Sequence, residues 1–182
     1  MGKYFLAFVP EGFIQERGQG LKELLKTNYG VKYALKSPVH ITVKMPFTYN
    51  EKKELTLIKA LSKFSQSFPP FKIKIHGVDT FSRRVIFWDV EAGKELLDFQ
   101  SHLKTFCKRE LNLVDELSDR NYHPHMTIAF KDLKEKNFDQ VLETVKNHQI
   151  SEEFIASQLS VLKRNEGRWV ELYRLDLGTT LF

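Results

Sequence analysis

Two hydrophobic periodicities alternate along the chain and predict a mixture of strands and helices. Segments that alternate apolar with polar positions, or that are rich in β-branched and aromatic residues, are typical of strands. Seven segments fit this description: Lys3–Val9, Val39–Phe47, Phe71–Val78, Arg84–Glu91, His125–Phe130, Phe154–Lys163 and Trp169–Leu177.

Apolar residues at helical spacing predict four helices between these strands. The first helix contains Leu21, Leu24 and Leu25, and we expect it to be interrupted near Gly18 and Gly20 and to end at Gly30. The other three carry the stripes Leu55, Ile58, Leu61 and Phe64 after the N-cap candidate Asn50; Leu96, Phe99, Leu103 and Phe106; and Phe138, Val141, Leu142 and Val145. The order of elements in the second half resembles that of the first, which favours an α+β or α/β fold built from two related halves.

Composition indicates a folded protein without a membrane anchor. Hydrophobic residues make up 42% of the 182 positions and aromatic residues 13%, enough for a packed core. The apolar run Tyr4–Val9 is far shorter than the ~18 residues that span a bilayer. Cys107 is the only cysteine, so no intrachain disulfide can form and we expect a cytoplasmic protein. We also expect a monomer without a cofactor.

The net charge of +5 is unevenly distributed. Residues 1–91 contain 15 Lys and Arg against 8 Asp and Glu, whereas residues 92–182 contain 13 against 15. A basic half attracts ligands that carry phosphate through long-range electrostatics, although a solvated lysine surface gives the same count.

One tetrapeptide pattern occurs in each half. The two segments, His40-Ile41-Thr42-Val43 and His125-Met126-Thr127-Ile128, share the order His, apolar, Thr, apolar and lie 85 positions apart. About 0.3 His-x-Thr triplets are expected by chance in a chain of this composition, so two such segments are a strong signal. On a strand, residues i and i+2 project from the same face. Each motif therefore directs one imidazole and one hydroxyl to the same side, and the apolar residues face the core.

Two imidazoles and two hydroxyls around one cavity suit phosphodiester chemistry. Displacement at phosphorus needs a base for the attacking oxygen and an acid for the leaving oxygen, and Thr hydroxyls can donate to the non-bridging oxygens. We favour His125 as the base and His40 as the acid in hydrolysis, a direction that the sequence does not determine. If neither histidine pKa is shifted, the profile of rate against pH should be bell-shaped, with limbs near ~6 and ~7–8.

These residues resemble the motifs of the 2H phosphoesterase superfamily, also called the 2'-5' RNA ligase and cyclic phosphodiesterase family. Residues 39–44 resemble the first motif, residues 120–128 the second, and Phe71 to Glu91 the paired central strands of that family. The resemblance implies one bilobal α+β domain over residues 1–182. Its two antiparallel sheets, each backed by helices, would be related by a pseudo-two-fold axis around a central groove.

The resemblance also implies a metal-independent phosphodiesterase that acts on RNA 3' ends, oligonucleotides or cyclic nucleotides with a 2',3'-cyclic phosphate or a 2'-5' linkage. It assigns His40 and His125 as the acid and base pair, and Thr42 and Thr127 as phosphate-binding residues. A module that captures a nucleotide or RNA end without turnover would use the same four side chains. A three-histidine zinc site of His40, His123 and His125 is a further alternative.

Four other residues are candidate substrate contacts: Lys44, Phe81, Arg120 and His123. Phe81 and Trp88, and also Trp169 and Tyr173 on one face of the last strand, could either stack on a nucleobase or belong to the core. His76, His102 and His148 lack a partner pattern and are expected on the surface or on helix faces.

Overall fold

Two four-stranded antiparallel sheets form the framework of the protein. The structure is a computed structural model, and it describes residues 1–179. The first sheet has the order β2-β1-β7-β8 and the second the order β5-β4-β3-β6. The strands are β1 (Gly2–Phe8), β2 (Ile41–Tyr49), β3 (Phe71–Phe81), β4 (Val85–Val90), β5 (His125–Phe130), β6 (Ser151–Ala156), β7 (Gln158–Asn165) and β8 (Arg168–Asp176).

Helices connect the strands and pack with the apolar faces of both sheets in one hydrophobic core. They are α1 (Phe13–Tyr29), α2 (Glu54–Ser65), α3 (Lys94–Glu110), α4 (Leu117–Arg120) and α5 (Phe138–Asn147). Three short 3-10 turns cover Tyr33–Lys36, Glu51–Lys53 and Glu135–Asn137. The predicted α+β class with two antiparallel sheets is confirmed. None of the described helices is long and apolar enough to cross a membrane.

A β-bulge follows the Thr of each motif and determines which side chains leave the core. In β2, Thr42 is opposite Ala7 and Lys44 is opposite Leu6, so Val43 is an extra residue. In β5, Thr127 is opposite Phe87 and Ala129 is opposite Ile86, so Ile128 is extra in the same way. A bulge resets the alternation of the strand. The face that carries the His and Thr side chains is called the groove face below.

Three sequence predictions about the elements are wrong in detail. The predicted strand Phe154–Lys163 is two strands in different sheets, since β6 pairs with β3 and β7 pairs with β1 on either side of Ser157. No Gly or Pro marks this crossing. In α2, Leu57 is buried and Leu55 is exposed, because Asn50 caps the preceding 3-10 turn by accepting from the Lys52 amide, and α2 begins only at Glu54.

The third difference concerns α1, which is continuous through Gly18 and Gly20 and ends at Gly30 in the left-handed conformation. Gly18 is buried, and a Cβ atom there would lie 2.4 Å from Val39 Cγ2 and 3.2 Å from the Trp88 ring. This glycine therefore serves close packing of the helix against the residue that precedes His40.

The two glycines of α1 provide a matched test of this packing. Gly18→Ala should lower the free energy of unfolding by about 1–3 kcal/mol, because the β-branched Val39 cannot move its methyl group away. Gly20→Ala meets nothing within 4 Å and should raise it by about 0.5–1 kcal/mol through helix propensity. Urea unfolding of both variants measures the difference. Equal effects of the two substitutions would contradict the packing role of Gly18.

Candidate active site

The same local hydrogen bond orients both motif histidines. His40 Nδ1 lies 2.7 Å from the Pro38 carbonyl oxygen, and His125 Nδ1 lies 2.7 Å from the His123 carbonyl oxygen. A carbonyl oxygen can only accept, so Nδ1 carries the hydrogen in each ring. The Nε2 atom of each neutral ring therefore keeps its lone pair and can accept a proton.

The half-buried Gln15 and the buried Lys22 of α1 hold the chain in front of the first motif. The Gln15 amide accepts from Val39 N at 2.7 Å and donates to Val39 O at 3.0 Å. Lys22 Nζ donates to the carbonyl oxygens of Ala34 (3.0 Å) and Ser37 (3.1 Å). The carbonyl group that fixes the His40 ring is thus part of a tightly bonded segment.

In the second half, Gln100 of α3 holds the segment that precedes the second motif. Its Nε2 donates to Asp119 O of that segment at 3.0 Å. Sequence reasoning missed Gln15, Lys22 and Gln100. The signal that marks them is a polar residue within or beside the buried face of a helix, as Lys22 lies next to Leu21 and Gln100 next to Phe99.

An aromatic ring from the neighbouring strand packs on each histidine. The centroid of the Phe5 ring lies 4.8 Å from that of His40, and the centroid of the Phe87 ring lies 5.1 Å from that of His125. Phe81 adds a perpendicular contact with His125 at 4.8 Å. These rings restrict the two imidazoles and remove water from one side of each.

Thr42 of the first motif and His125 of the second line one cavity of about 260 Å³ between the sheets, whereas His40 and Thr127 are not among its lining residues. Thr42 comes from β2 and His125 from β5, and these two strands contact each other. The remaining wall is largely apolar and includes Val43, Met45, Phe81, Leu117 and Tyr122. The cavity therefore offers polar groups at one end and apolar side chains beside them, as many small-molecule sites do.

The two histidines have different electrostatic surroundings. Burial lowers the pKa of His40 to about 4, and the positive charges of Lys22 and His125 act in the same direction. Burial also lowers the pKa of His125, but the carboxylate of Asp89, which is opposite it on β4, acts to raise it. Sequence reasoning did not single out Asp89.

Comparison with known proteins identifies the family. The family model described as the 2'-5' RNA ligase superfamily matches residues 10–168. The chain belongs to this superfamily. A protein of Bacillus cytotoxicus, provisionally described as a phosphoesterase, is 32% identical over 133 residues, which cover 71% of this chain and 70% of the relative. The resemblance to the 2H phosphoesterases is thereby confirmed.

Solved structures share the fold of this superfamily member at low sequence identity. The crystal structure of TT0787 of Thermus thermophilus superimposes with a TM-score of 0.69 at 13% identity, covering 98% of this chain and 99% of that one. E. coli LigT, crystallised with 3'-AMP, gives a TM-score of 0.58 at 16% identity with the same coverage. These similarities concern the fold.

Of the candidate substrate contacts in this 2'-5' RNA ligase superfamily member, two line the cavity and two do not. Phe81 and the exposed His123 lie in its wall, and His123 Nε2 is 3.7 Å from Asp89 Oδ1. Arg120 lies instead in a separate surface depression with Lys108. The direction of its side chain differs from that of its neighbours Asp119 and Asn121, which do line the cavity.

The prediction that Lys44 contacts the substrate is wrong. It is fully buried, and its Nζ lies 2.5 Å from Asp119 Oδ2 and 2.8 Å from Val114 O. The bulge at Val43 turns Lys44 away from the groove face toward the core, so the expected continuation of the His40 and Thr42 face fails. Lys44 instead ties β2 to α4, whose residues Leu117 and Ser118 line the cavity.

Of the aromatic candidates on β4 and β8, Trp88 and Tyr173 pack in the core and Trp169 lies near His40. Trp88 is fully buried in the core. Tyr173 and Trp169 lie on opposite faces of β8, because Tyr173 pairs with Val161 and Glu171 with Leu162, which leaves Leu172 as a bulge. Trp169 packs on Phe5 at 4.7 Å, next to His40, whereas Tyr173 packs against the main core.

Residues 1–179 contain no group of three or more metal-ligating side chains close enough to hold one ion. The three-histidine zinc alternative therefore gains no support from the geometry. His76 and His102 are exposed, and His148 bonds to the Thr144 carbonyl within α5, as expected of surface and helix-face residues.

The buried Lys44–Asp119 pair should contribute much more to stability than an exposed pair. Lys44→Met leaves the Asp119 carboxylate buried without its cation and should cost about 3–5 kcal/mol of unfolding free energy. The matched control Lys72→Met breaks a half-exposed pair with Glu153 and should cost less than about 1 kcal/mol. Chemical denaturation compares the two. A loss in the first variant no greater than in the control would contradict this role of Lys44.

Proposed function

We propose that this protein is a metal-independent phosphodiesterase that acts on RNA ends or nucleotides carrying a 2',3'-cyclic phosphate or a 2'-5' linkage. The observation that carries the proposal is the matched environment of His40 and His125. Each belongs to a His-x-Thr motif followed by a bulge, and each has its Nδ1 atom bonded to the carbonyl two residues earlier. Both Nε2 atoms are thereby left for proton transfer.

In the proposed hydrolysis, one Nε2 removes a proton from water while the water oxygen forms a bond to phosphorus. The bond between phosphorus and the ribose oxygen breaks on the opposite side, and the other Nε2–H gives its proton to that oxygen. The hydroxyl groups of Thr42 and Thr127 donate to the non-bridging oxygens, where negative charge increases in the transition state. Formation of a 2'-5' linkage is the same sequence with an RNA hydroxyl in place of water.

The electrostatics favour His40 as the base and His125 as the acid in hydrolysis, the reverse of the direction that we favoured from the sequence. A pKa near 4 keeps the His40 ring neutral, as a base must be. Asp89 favours the protonated form of His125, as an acid requires. The two histidines keep these roles when an RNA hydroxyl replaces water, and the roles exchange when the reaction runs in reverse toward the cyclic phosphate.

The comparisons support a nucleotide substrate. Relatives are provisionally described as phosphoesterases, and E. coli LigT, which shares the fold, has been crystallised with 3'-AMP and with NADP⁺. The apolar wall formed by Phe81, Met45 and Leu117 beside His125 suits a nucleobase, because every base offers a face for stacking.

Substitution of either motif histidine should remove most of the activity. His40→Ala and His125→Ala should each lower kcat by ~10²–10⁴-fold on the best substrate among 2',3'-cyclic nucleotides, 2'-5' oligonucleotides and RNA 3' ends. The control His76→Ala removes an exposed histidine on β3 and should change kcat little. Initial rates across the substrate panel measure these effects.

Two outcomes would contradict the proposal. Unchanged turnover in both histidine variants would exclude the two-histidine site. Tight nucleotide binding with no turnover of any substrate by the natural protein would instead identify a binding module that uses the same four side chains.

The pH profile should be displaced toward acid relative to unperturbed histidines. Burial lowers both pKa values, so the base is neutral above about pH 4 and the acid loses its proton below the ordinary value of ~6.5. Because kcat/KM reports the free enzyme, it should reach its maximum below pH 6.5 and fall as the pH rises further. Rates from pH 4 to 9, with and without EDTA, test this. Loss of activity in EDTA and its recovery with Zn²⁺ or Mn²⁺ would overturn the mechanism.

A further inference from the structure

Four basic side chains gather around two aromatic rings on the His40 side of the groove. The Nζ atoms of Lys36 and Lys131 each lie 4.5 Å from the centroid of the Tyr33 ring, and Lys131 donates to the Tyr33 hydroxyl at 3.1 Å. The Arg164 guanidinium lies 5.3 Å from the centroid of the Trp169 ring. Arg168 donates to Leu35 O at 3.0 Å, which holds the β7–β8 hairpin against the 3-10 turn that contains Tyr33. This set is called the Tyr33 cluster below.

The positive charges of the Tyr33 cluster are not balanced by acidic side chains. Among residues 1–179, no carboxylate oxygen lies within 4.0 Å of a side-chain nitrogen of Lys36, Lys131, Arg164 or Arg168. The neighbouring carboxylate of Asp132 accepts instead from the backbone amides of Lys32 and Tyr33.

Several basic residues of the neighbouring strands are paired with carboxylates. Lys163, one residue before Arg164, contacts both Glu51 and Glu54, and Lys72 contacts Glu153. Like charges held together repel one another, so a cluster of this kind costs stability unless an anion joins it.

A short aromatic path connects the Tyr33 cluster to the proposed catalytic centre. Trp169 packs edge-on against Phe5 with centroids 4.7 Å apart, and Phe5 packs on His40 at 4.8 Å. In the other sheet, Phe130 at the end of β5 packs against Tyr33, with ring centroids 5.2 Å apart. A ligand centred between His40 and His125 can therefore extend to the cluster along the groove.

The two ends of the groove have opposite chemical character. Beyond His125 lies the apolar cavity with Phe81, Met45 and Leu117, which suits a nucleobase. Beyond His40 lie Lys36, Lys131, Arg164 and Arg168, the last two of which have guanidinium groups that can bind phosphate with two hydrogen bonds.

We propose that the Tyr33 cluster binds a second phosphate group of the ribonucleotide substrate, separate from the phosphate between the two histidines. The protein then prefers an oligonucleotide end over a mononucleotide, because only the longer ligand places a phosphate on the His40 side. This inference rests on the proposed function and specifies the substrate class of the same site.

The test compares two substrates that share the scissile bond. One is uridine 2',3'-cyclic phosphate, and the other is a dinucleotide that ends in the same cyclic phosphate and has one further phosphodiester. The variant Lys131→Ala/Arg164→Ala removes the cation that directly follows β5 and one cation of β7. The control Lys63→Ala/Lys104→Ala removes the same charge from helices α2 and α3.

The cluster variant should lower kcat/KM on the dinucleotide by ~10–100-fold and on the mononucleotide by less than ~3-fold. Its salt dependence on the dinucleotide should weaken by about one in the slope of log kcat/KM against log salt. The control should keep the preference of the natural protein for the dinucleotide. Equal losses on both substrates, or a loss matched by the control, would overturn the inference, since general attraction would then explain the effect.

Failure of this inference can be distinguished from failure of the proposed function. If the histidine variants lose turnover and the cluster variant keeps the dinucleotide preference, the function stands and the second phosphate site is refuted. If no substrate is turned over, calorimetric titration with the 3'-phosphorylated dinucleotide and with uridine 3'-phosphate tests whether the Tyr33 cluster binds a second phosphate. Weaker binding of only the dinucleotide by the cluster variant supports the site, and equal binding by variant and natural protein refutes it.

Discussion

The hydrogen bond from Nδ1 of each motif histidine to the carbonyl two residues earlier is the interaction on which the site depends. It determines the tautomer, and therefore which nitrogen can exchange a proton with a ligand. A loop carbonyl can hold a ring in this way only if the loop itself is held. The half-buried amide of Gln15 and the buried Lys22 side chain do so before His40, and Gln100 bonds the segment before the second motif.

Two buried lysines of the first half, Lys22 and Lys44, have different partners. Lys44 has Asp119 as an ion partner and links β2 to α4. Lys22 is held by carbonyl oxygens alone, and burial lowers its pKa to about 7. Its charge opposes protonation of His40, whereas Asp89 favours protonation of His125. The pseudo-symmetric fold thus places His40 and His125 in different electrostatic environments, as the proposed acid and base catalysis by this pair requires.

The motifs and most elements followed from the sequence because they depend on local patterns. Alternation predicted β2, which begins directly after His40, and β5, which begins at His125, and the three apolar stripes predicted α2, α3 and α5 close to their observed bounds. Two of the misplaced residues, Lys44 and Tyr173, share one cause. Bulges at Val43 and Leu172 reset the two-residue alternation, so Lys44 and Tyr173 lie on faces other than those predicted. The local sequence carries no mark of these bulges, because they depend on the register with the neighbouring strands.

The roles of Gln15, Lys22 and Asp89 were beyond sequence reasoning for a related reason. Each acts on a residue that is brought near only by the fold, such as Val39 for Gln15 and His125 for Asp89. The distance between the Tyr33 cluster and His40 likewise depends on the packing of Trp169 on Phe5.

We propose that His40 and His125 present their Nε2 atoms to one phosphate. Nitrogen-15 NMR of the histidine rings, recorded during titration with uridine 3'-phosphate, tests this arrangement. We expect the Nδ1–H tautomer for both rings in the free protein and a simultaneous change of both Nε2 signals as ligand binds, with His76 and His102 unaffected. A ring of the opposite tautomer, or a response confined to one of the two histidines, would contradict it.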